Sequence, residues 1–242
     1  DDAINFALHE GVVGMYQPDT IATMSYMGMD LVFTANEGDS RDYDAYSEEE
    51  RAEDLIDGNL LDADNASYAA AQDEEQLGRL KVTTATGDTD GDGDIDVIHN
   101  YGARSFSIWA DGMQVFDSHS DIGKITAGRL GLLFNGEDKR SDDKGAEPEA
   151  MTLGTIGERT YAFVGLERTS GIMVYDVTNP YGVQFVDYVE NIDRSLDEEV
   201  QGDVAPEGMR FISAEESPNG NPLLVVANEV SGSTTVYQLT LQ

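Results

Sequence analysis

The sequence predicts an all-β protein of the β-propeller class, with about four blades or part-blades in the chain. Two observations carry this prediction: a strand-turn-strand pattern recurs three times, and short apolar runs of strand length are separated by turn residues. With 242 residues, of which 40% are hydrophobic, the chain is able to bury a substantial core. We therefore treat residues 1–242 as a single, partial propeller domain.

The repeat is the main argument for the fold. Each unit consists of proline, an acidic residue, a small residue, Ile or Met, a turn, an apolar strand and a final Glu, and the units occupy residues 18–37, 148–167 and 206–229. A propeller blade needs about 40 to 50 residues, so this chain is too short for a closed ring. Because exposed terminal repeats need partner units, we expect the remaining blades to come from a missing N-terminal part of the same protein or from another chain.

Further elements follow from local patterns. Residues 105–117 and 174–188 each alternate in the manner of a β-hairpin. Helix is predicted only in an acidic, partly helical insertion at residues 44–80, where Ser47 and Glu50 resemble a capping box ahead of a helix at 51–56. A second helix is expected over residues 67–80.

A calcium site is predicted in the segment that follows this insertion. Five aspartates alternate with other residues there and two glycines permit tight turns; the aspartates are Asp88, Asp90, Asp92, Asp94 and Asp96. The first three match positions 1, 3 and 5 of an oxygen-ligand loop, the fourth would offer its backbone carbonyl, and the fifth falls at position 9. Because His99 replaces the position-12 Glu of an EF-hand and Val97-Ile98 looks like a strand, we place the loop between β-strands. The alternative is a solvated acidic turn without an ion.

Composition limits the partners. The formal charge is −34, from 48 acidic and 14 basic residues, which disfavours nucleic acid and anionic membranes as ligands and is typical of a marine or halophilic protein. No apolar run approaches the roughly 18 residues of a membrane span, so we expect no membrane insertion. The absence of cysteine excludes disulfides and thiolate metal sites. Calcium loops of this weak kind fill outside cells, which favours a secreted or cell-surface location.

Several motifs resemble the choice-of-anchor I family of bacterial secreted proteins. They occupy residues 15–19, 34–43, 102–109, 140–145 and 222–232. The resemblance runs over nearly the whole chain and corresponds to the C-terminal part of a typical member. It implies an extracellular or surface-attached, propeller-like protein. Many members are labelled alkaline phosphatase, and some are joined to phosphatase modules.

A second metal site is predicted from the repeats. Strands that start near a propeller axis would bring Asp19, Glu149 and Glu207 around one mouth, and the strand ends place Glu37, Glu167 and Glu229 in an equivalent second set. Carboxylates at close range need cations, so one interpretation is a polynuclear calcium or mixed-metal site. Arg41, Arg104 and Arg140 would then clamp a phosphate, with Glu149 and Glu207 as catalytic candidates. The alternative is architectural: the same Glu and Arg residues pair across blades.

Two functions remain open from the sequence. One is a secreted, calcium-binding propeller module that acts in binding or scaffolding, with a phosphorylated or carbohydrate ligand. The other is a metal-dependent phosphoesterase whose site lies at the acidic channel mouth. The first is the leading hypothesis.

Overall fold

A computed structural model of the protein describes residues 4–196 and 202–240. Seventeen strands and three α-helices form within these residues. The strands are β1 (Val12–Gly14), β2 (Ile21–Tyr26), β3 (Met29–Asn36), β4 (Asp42–Tyr43), β5 (Tyr46–Ser47), β6 (Glu49–Arg51), β7 (Lys81–Thr83), β8 (Ile98–Asn100), β9 (Ser105–Ala110), β10 (Met113–Asp117), β11 (Pro148–Ile156), β12 (Arg159–Leu166), β13 (Ile172–Asp176), β14 (Gln184–Val189), β15 (Pro206–Ile212), β16 (Leu223–Asn228) and β17 (Ser233–Gln238). The helices are α1 (Ala52–Asp57), α2 (Tyr68–Ala71) and α3 (Asp121–Leu130), followed by a short 3-10 turn at Gly131–Leu133.

Three antiparallel sheets form the body of the molecule. The first sheet has the order β10-β9-β3-β2, the second β11-β12-β13-β14 and the third β15-β16-β17. Each sheet contains one of the three repeat units, as its strand pair β2-β3, β11-β12 or β15-β16. The predicted all-β class is therefore confirmed, although none of these sheets closes on itself within the described residues.

The second sheet lies between the other two, and its strands β11 and β12 are mostly buried on both faces. Strand β11 packs against β2 and β3 on one side and against β15 on the other. Along β12, Ala162 and Val164 belong to the core shared with the first sheet, whereas Tyr161 and Phe163 belong to the core shared with the third. Because side chains on a strand alternate between faces, this one strand contributes to two cores.

A fourth sheet, in the order β1-β8-β7-β6, stands apart from the three repeats, and its β1-β8 pair is parallel. With α1 and α2 it encloses a separate hydrophobic core formed by Ala52, Leu55, Leu61, Ala71, Leu77, Leu80, Val82, Ile95 and Ile98. The predicted acidic insertion at 44–80 therefore does not pack alone, because β7 and β8 complete its core. The aspartate-rich segment connects these two strands.

Buried hydrogen bonds tie together the strand ends of the first sheet. Asn36 at the end of β3 donates from Nδ2 to Ser107 Oγ at 2.7 Å, and Ser107 donates to Asp117 Oδ2 at 2.6 Å. Asp117 ends β10, so one carboxylate closes a chain of polar contacts across three strands. Such a connected network fixes the relative position of the strands.

The third sheet carries an equivalent network. Asn228 at the end of β16 donates to Ser233 Oγ at 3.1 Å, and Asp203 accepts from Ser233 at 3.1 Å and from Thr235 at 2.6 Å. The accepting carboxylate of Asp203 precedes β15, whereas Asp117 in the first sheet ends β10. The two sheets thus use the same Asn, Ser and Asp hydrogen bonds, but the aspartate comes from a different position in the chain.

The helix predictions were only partly right. Helix α1 is present, but the predicted capping box is wrong: Ser47 lies in β5, Glu50 lies in β6, and Arg51 at the N-cap makes no side-chain cap. The second predicted helix is limited to α2, since Asp73 accepts hydrogen bonds from the Glu75 amide at 2.9 Å and the Gln76 side chain at 2.8 Å and so stabilises a turn.

Helix α3 was not predicted, and it lies outside the insertion. Its sequence contains Gly123 and Gly128, which lower helix propensity, and only Ile122 and Thr126 are buried. Ile122, Ile125 and Leu130 do recur at helical spacing and pack on the main core, so an apolar signal was present but short.

Candidate metal sites

The aspartate-rich loop crosses from β7 to β8 on the surface. Gly91 and Gly93 have φ values of +84° and +108°, a conformation that side chains disfavour, so these glycines allow the chain to fold tightly. The loop is held by its own carboxylates: Asp88 accepts from the amides of Gly91 at 2.6 Å and Gly93 at 3.1 Å, and Asp96 accepts from the Thr89 amide at 2.6 Å.

Carboxylates of this loop converge in two groups. Oxygens of Asp88, Asp90 and Asp96 lie within 4.8 Å of one another, and so do oxygens of Asp62, Asp94 and Asp96. Since calcium binds oxygens at about 2.3 to 2.6 Å, ligands on opposite sides of one ion are about 5 Å apart, and both groups have the right dimensions. Asp96 belongs to both groups.

Three details differ from the sequence-based assignment. Asp92 belongs to neither group and instead accepts from the Asp94 amide at 3.2 Å. Asp94 contributes its side chain rather than only a backbone carbonyl. Asp62 was missed, because it comes from the acidic insertion and reaches the loop through the Leu61–Ile95 bridge.

Mutual repulsion is visible in the pKa values of the loop. The pKa of Asp94 is raised by partial desolvation and by the neighbouring charges of Asp92 and Asp62. A hydrogen bond from the Asp92 amide lowers the pKa of Asp90, but repulsion from Asp92, Asp96 and Asp88 leaves it raised overall. The pKa of Asp96 is lowered by hydrogen bonds from Thr89. A cation would relieve this repulsion.

A second set of acids, which we call the inner carboxylate cluster, lies at the ends of the repeat strands. Its members are Asp19, Glu37, Glu147, Glu149 and Glu167. Asp19 precedes β2, and Glu37 follows β3. Glu147 immediately precedes β11, Glu149 is the second residue of β11, and Glu167 follows β12. Oxygens of Asp19, Glu37 and Glu149 lie within 4.8 Å of one another, as do those of Glu37, Glu147 and Glu167.

One half of this cluster is neutralised by basic side chains. Glu147 is fully buried and pairs with Arg140, with Lys144 at 2.9 Å and with Arg168 at 3.7 Å. Lys144 also bonds Glu37 at 2.6 Å, and Arg168 bonds Glu167 at 2.9 Å. Glu147 was not predicted, because the positions before Pro18 and Pro206 in the other repeats carry no acid. The sequence signal for Glu147 is its position directly before the repeat proline Pro148.

Glu149 lies in the other half and has an unsatisfied oxygen. The residue is 7% exposed, and its Oε2 has no hydrogen-bond partner among the described residues. Burial, followed by repulsion from Glu167 and Glu37, raises the pKa of Glu149 to about 8. Burial and repulsion from Glu147 likewise raise the pKa of Glu167 to about 7.

The remaining predicted acids are peripheral. Glu207 is exposed but close enough to add to the repulsion on Glu149. Glu229 is exposed and belongs to none of the acidic groups found in the described part of the chain. Asp19, Glu37 and Glu149 are thus the predicted acids of the second site that form one group, and Glu167 belongs to a second group that also contains Glu37.

The three arginines predicted to clamp a phosphate have different protein partners. Arg41 bonds Glu48 at 2.6 Å and lies over the Tyr46 ring. Arg104 donates to the backbone carbonyls of residues 141 and 143 at 2.9 and 2.5 Å, and Arg140 pairs with Glu147 and residue 143. Each guanidinium group is therefore bonded within the protein.

The fold defines an all-β protein whose three repeat sheets are antiparallel and open. The family model of the choice-of-anchor I domain matches residues 1–180, and the chain belongs to this family. The resemblance seen in the sequence is confirmed. Membership indicates a secreted or cell-surface protein.

The chain is also similar to a curated protein. Gigasin-3a of Magallana gigas is 28% identical over 189 residues, covering 69% of this chain and 66% of that protein. The chain thus spans slightly less than two thirds of that relative. No solved structure matches the chain. No helix within residues 4–196 and 202–240 combines the length and the apolar character needed to cross a bilayer.

Proposed function

We propose that this chain is a calcium-binding propeller module of a secreted or cell-surface protein, and that it acts in binding or scaffolding. The observation that carries the proposal is the convergence of Asp88, Asp90 and Asp96 within 4.8 Å on an exposed, glycine-containing loop. Every donor in this group is a carboxylate oxygen, which is the chemistry that calcium prefers.

Calcium at this position would fix more than the loop. Asp96 accepts from Thr89 within the loop and is also grouped with Asp62, which precedes α2. An ion held by these carboxylates would therefore connect the loop to the helical part of the insertion. A rigid, presented surface is what a scaffold requires, and a phosphorylated or carbohydrate ligand is the expected partner class.

The arrangement of the three repeat sheets supports the propeller. In a propeller, blades pack face to face and their first strands lie close to the common axis. Strand β11 contacts both β2 and β15, the first strands of the neighbouring sheets. The further blades of the ring would come from the rest of the protein or from another chain.

The test is a calcium titration of the purified chain by calorimetry. We expect one equivalent of calcium binding to be lost in the double variant Asp88→Asn/Asp90→Asn. The matched control is Asp111→Asn, since Asp111 is an exposed turn aspartate with a φ of +49°, where Asn is equally acceptable. Equal loss of binding in the control would mean that calcium binds diffusely to the acidic surface.

A phosphoesterase is the second candidate, and the raised pKa of Glu149, about 8, favours it. A carboxyl group that keeps its proton near neutral pH is suited to act as a general acid. The assay uses a chromogenic phosphate monoester with calcium and after chelation. Turnover that disappears in Glu149→Gln while the fold persists would establish the enzyme. If the wild type shows no turnover, the phosphoesterase is rejected and the binding module is the proposed function.

A further inference from the structure

We propose that Asp19, Glu37 and Glu149 hold a second divalent cation, separate from the loop site, that joins the first sheet to the second. Asp19 and Glu37 flank the strand pair β2-β3 of the first sheet, whereas Glu149 lies on β11 of the second. Their oxygens lie within 4.8 Å of one another, a spacing that suits one shared ion.

The backbone of β11 directs Glu149 toward this position. The pairing of β11 with β12 is irregular between Pro148 and Met151, as in a β-bulge. Bulges re-aim side chains at strand ends. We infer that the bulge turns the carboxyl group of Glu149 toward the acids of the neighbouring sheet, away from the direction that the regular alternation of side chains on β11 would give it.

The unsatisfied oxygen of Glu149 is independent support for an ion. Glu149 is 7% exposed, and no hydrogen-bond donor reaches its Oε2 within residues 4–196 and 202–240. Buried polar atoms in folded proteins nearly always have partners, and an orphan oxygen needs an explanation. A cation bound between Glu149, Glu37 and Asp19 supplies the missing partner.

The distribution of basic residues points to the same group. Arg140, Lys144 and Arg168 pair with Glu147, Glu167 and Glu37, whereas the described part of the chain forms no ion pair with Asp19 or Glu149. The protein's own cations thus leave two of the three proposed ligands, Asp19 and Glu149, uncompensated, and Glu37 shares Lys144 with Glu147. Like charges at this range are costly without a counter-ion.

The donor set defines the class of ion. Carboxylates alone, without histidine, favour a hard divalent cation such as calcium over zinc or copper. Asp19 is exposed, so one side of the site is open for entry of the ion and for waters that complete its coordination. Calcium tolerates such irregular coordination better than magnesium does.

The experiment isolates this site from the loop. In the Asp88→Asn/Asp90→Asn background, calorimetry with calcium chloride should still detect one equivalent of bound calcium, and adding Glu149→Gln or Asp19→Asn should abolish it. The matched control is Glu158→Gln, an exposed acid in the β11-β12 turn, which should leave binding unchanged.

Thermal unfolding provides a second readout. In chelator, Glu149→Gln should raise the melting temperature, because it removes a buried carboxylate that repels its neighbours, and it should also remove the calcium-dependent rise. The proposal is overturned if the loop variant binds no calcium, or if Glu149→Gln leaves the remaining equivalent intact. If only the loop site fails to bind calcium, the wild type and the Asp88→Asn/Asp90→Asn variant should bind the same number of calcium ions.

Discussion

Asp96 is the residue on which the loop site depends most, because it alone belongs to both acidic groups there. We predict that Asp96→Asn weakens calcium binding by about tenfold or more, or about 1.4 kcal/mol. Calorimetric titration measures the change. Asp92→Asn is the matched control, since Asp92 lies in the same loop but in neither group, and its effect should be smaller. Equal effects would mean that net charge, rather than ligand geometry, determines affinity.

Asp203 makes the stability of the protein depend on pH. Partial burial alone would raise the pKa of Asp203, but hydrogen bonds from Thr235, Asn191 and Tyr237 outweigh burial and lower it. A lowered folded-state pKa means that the charged form stabilises the fold above the unfolded pKa of about 3.9, and that this contribution is lost as pH falls through the folded value.

We therefore predict that Asp203→Asn lowers the free energy of unfolding by about 1 to 3 kcal/mol at pH 7, and that the difference from wild type shrinks below about pH 4. Urea unfolding at several pH values measures both. Asp30→Asn, at an exposed position on β3, is the control and should change little. A deficit that stays constant down to pH 3 would contradict the assignment.

At the level of residues, the sequence predicted what lies close together along the chain. The alternating aspartates 88–96 indicated a loop site because their spacing is local. Asp62 could not be found in this way, since it joins the loop only through the Leu61–Ile95 bridge. Glu147 was missed for the opposite reason: the inner acids were deduced by repeat equivalence, and Glu147 has no counterpart in the other repeats.

Strand β12 is the element that holds the three sheets together, because its two faces enter different cores. Phe163 is 2% exposed and stacks on Phe211 of the third sheet with ring centroids 6.2 Å apart. We predict that Phe163→Ala lowers the free energy of unfolding by about 3 to 5 kcal/mol, from lost burial and the cavity left behind. Denaturant unfolding measures the loss.

The control for this prediction is Thr155→Ala, an exposed position on the adjacent strand β11, which should change stability by no more than about 0.5 kcal/mol. A small effect of Phe163→Ala would mean that the second and third sheets do not share a core in solution.

The elements of the repeats were predictable because apolar runs and turn residues alternate there without interruption. The second strand of each unit, such as Leu223–Asn228, is formed mainly of apolar residues that favour strands in any context. Helix α3 was missed although Ile122, Ile125 and Leu130 recur at helical spacing and pack on the main core, because the segment is short and its two glycines lower helix propensity. Packing on the core, rather than the local helix preference of these residues, determines that they form a helix.

At the scale of the whole molecule, the net charge of −34 opposes compaction. Counter-ions screen this repulsion, so we predict that the melting temperature in chelator rises as sodium chloride is increased from about 0.01 M to 1 M. Differential scanning calorimetry measures the shift. A melting temperature independent of salt would show that the surface charges are already compensated within the fold.

The all-β class and the family could be predicted from the sequence, whereas the packing of one sheet on the next could not. Three short repeats define strands, but the contacts of β11 with β2 and β15 arise only once the chain is folded. The insertion was likewise predicted as an acidic, partly helical segment, and its own core was not, because β7 and β8 lie outside residues 44–80.

The central claim is that the loop of residues 88–96 binds calcium, and a calorimetric comparison of the wild type with Asp88→Asn/Asp90→Asn, at equal ionic strength, tests it most directly. We predict saturable binding by the wild type, with magnesium binding more weakly, and loss of one equivalent in the variant. Identical isotherms for the two proteins would contradict the account.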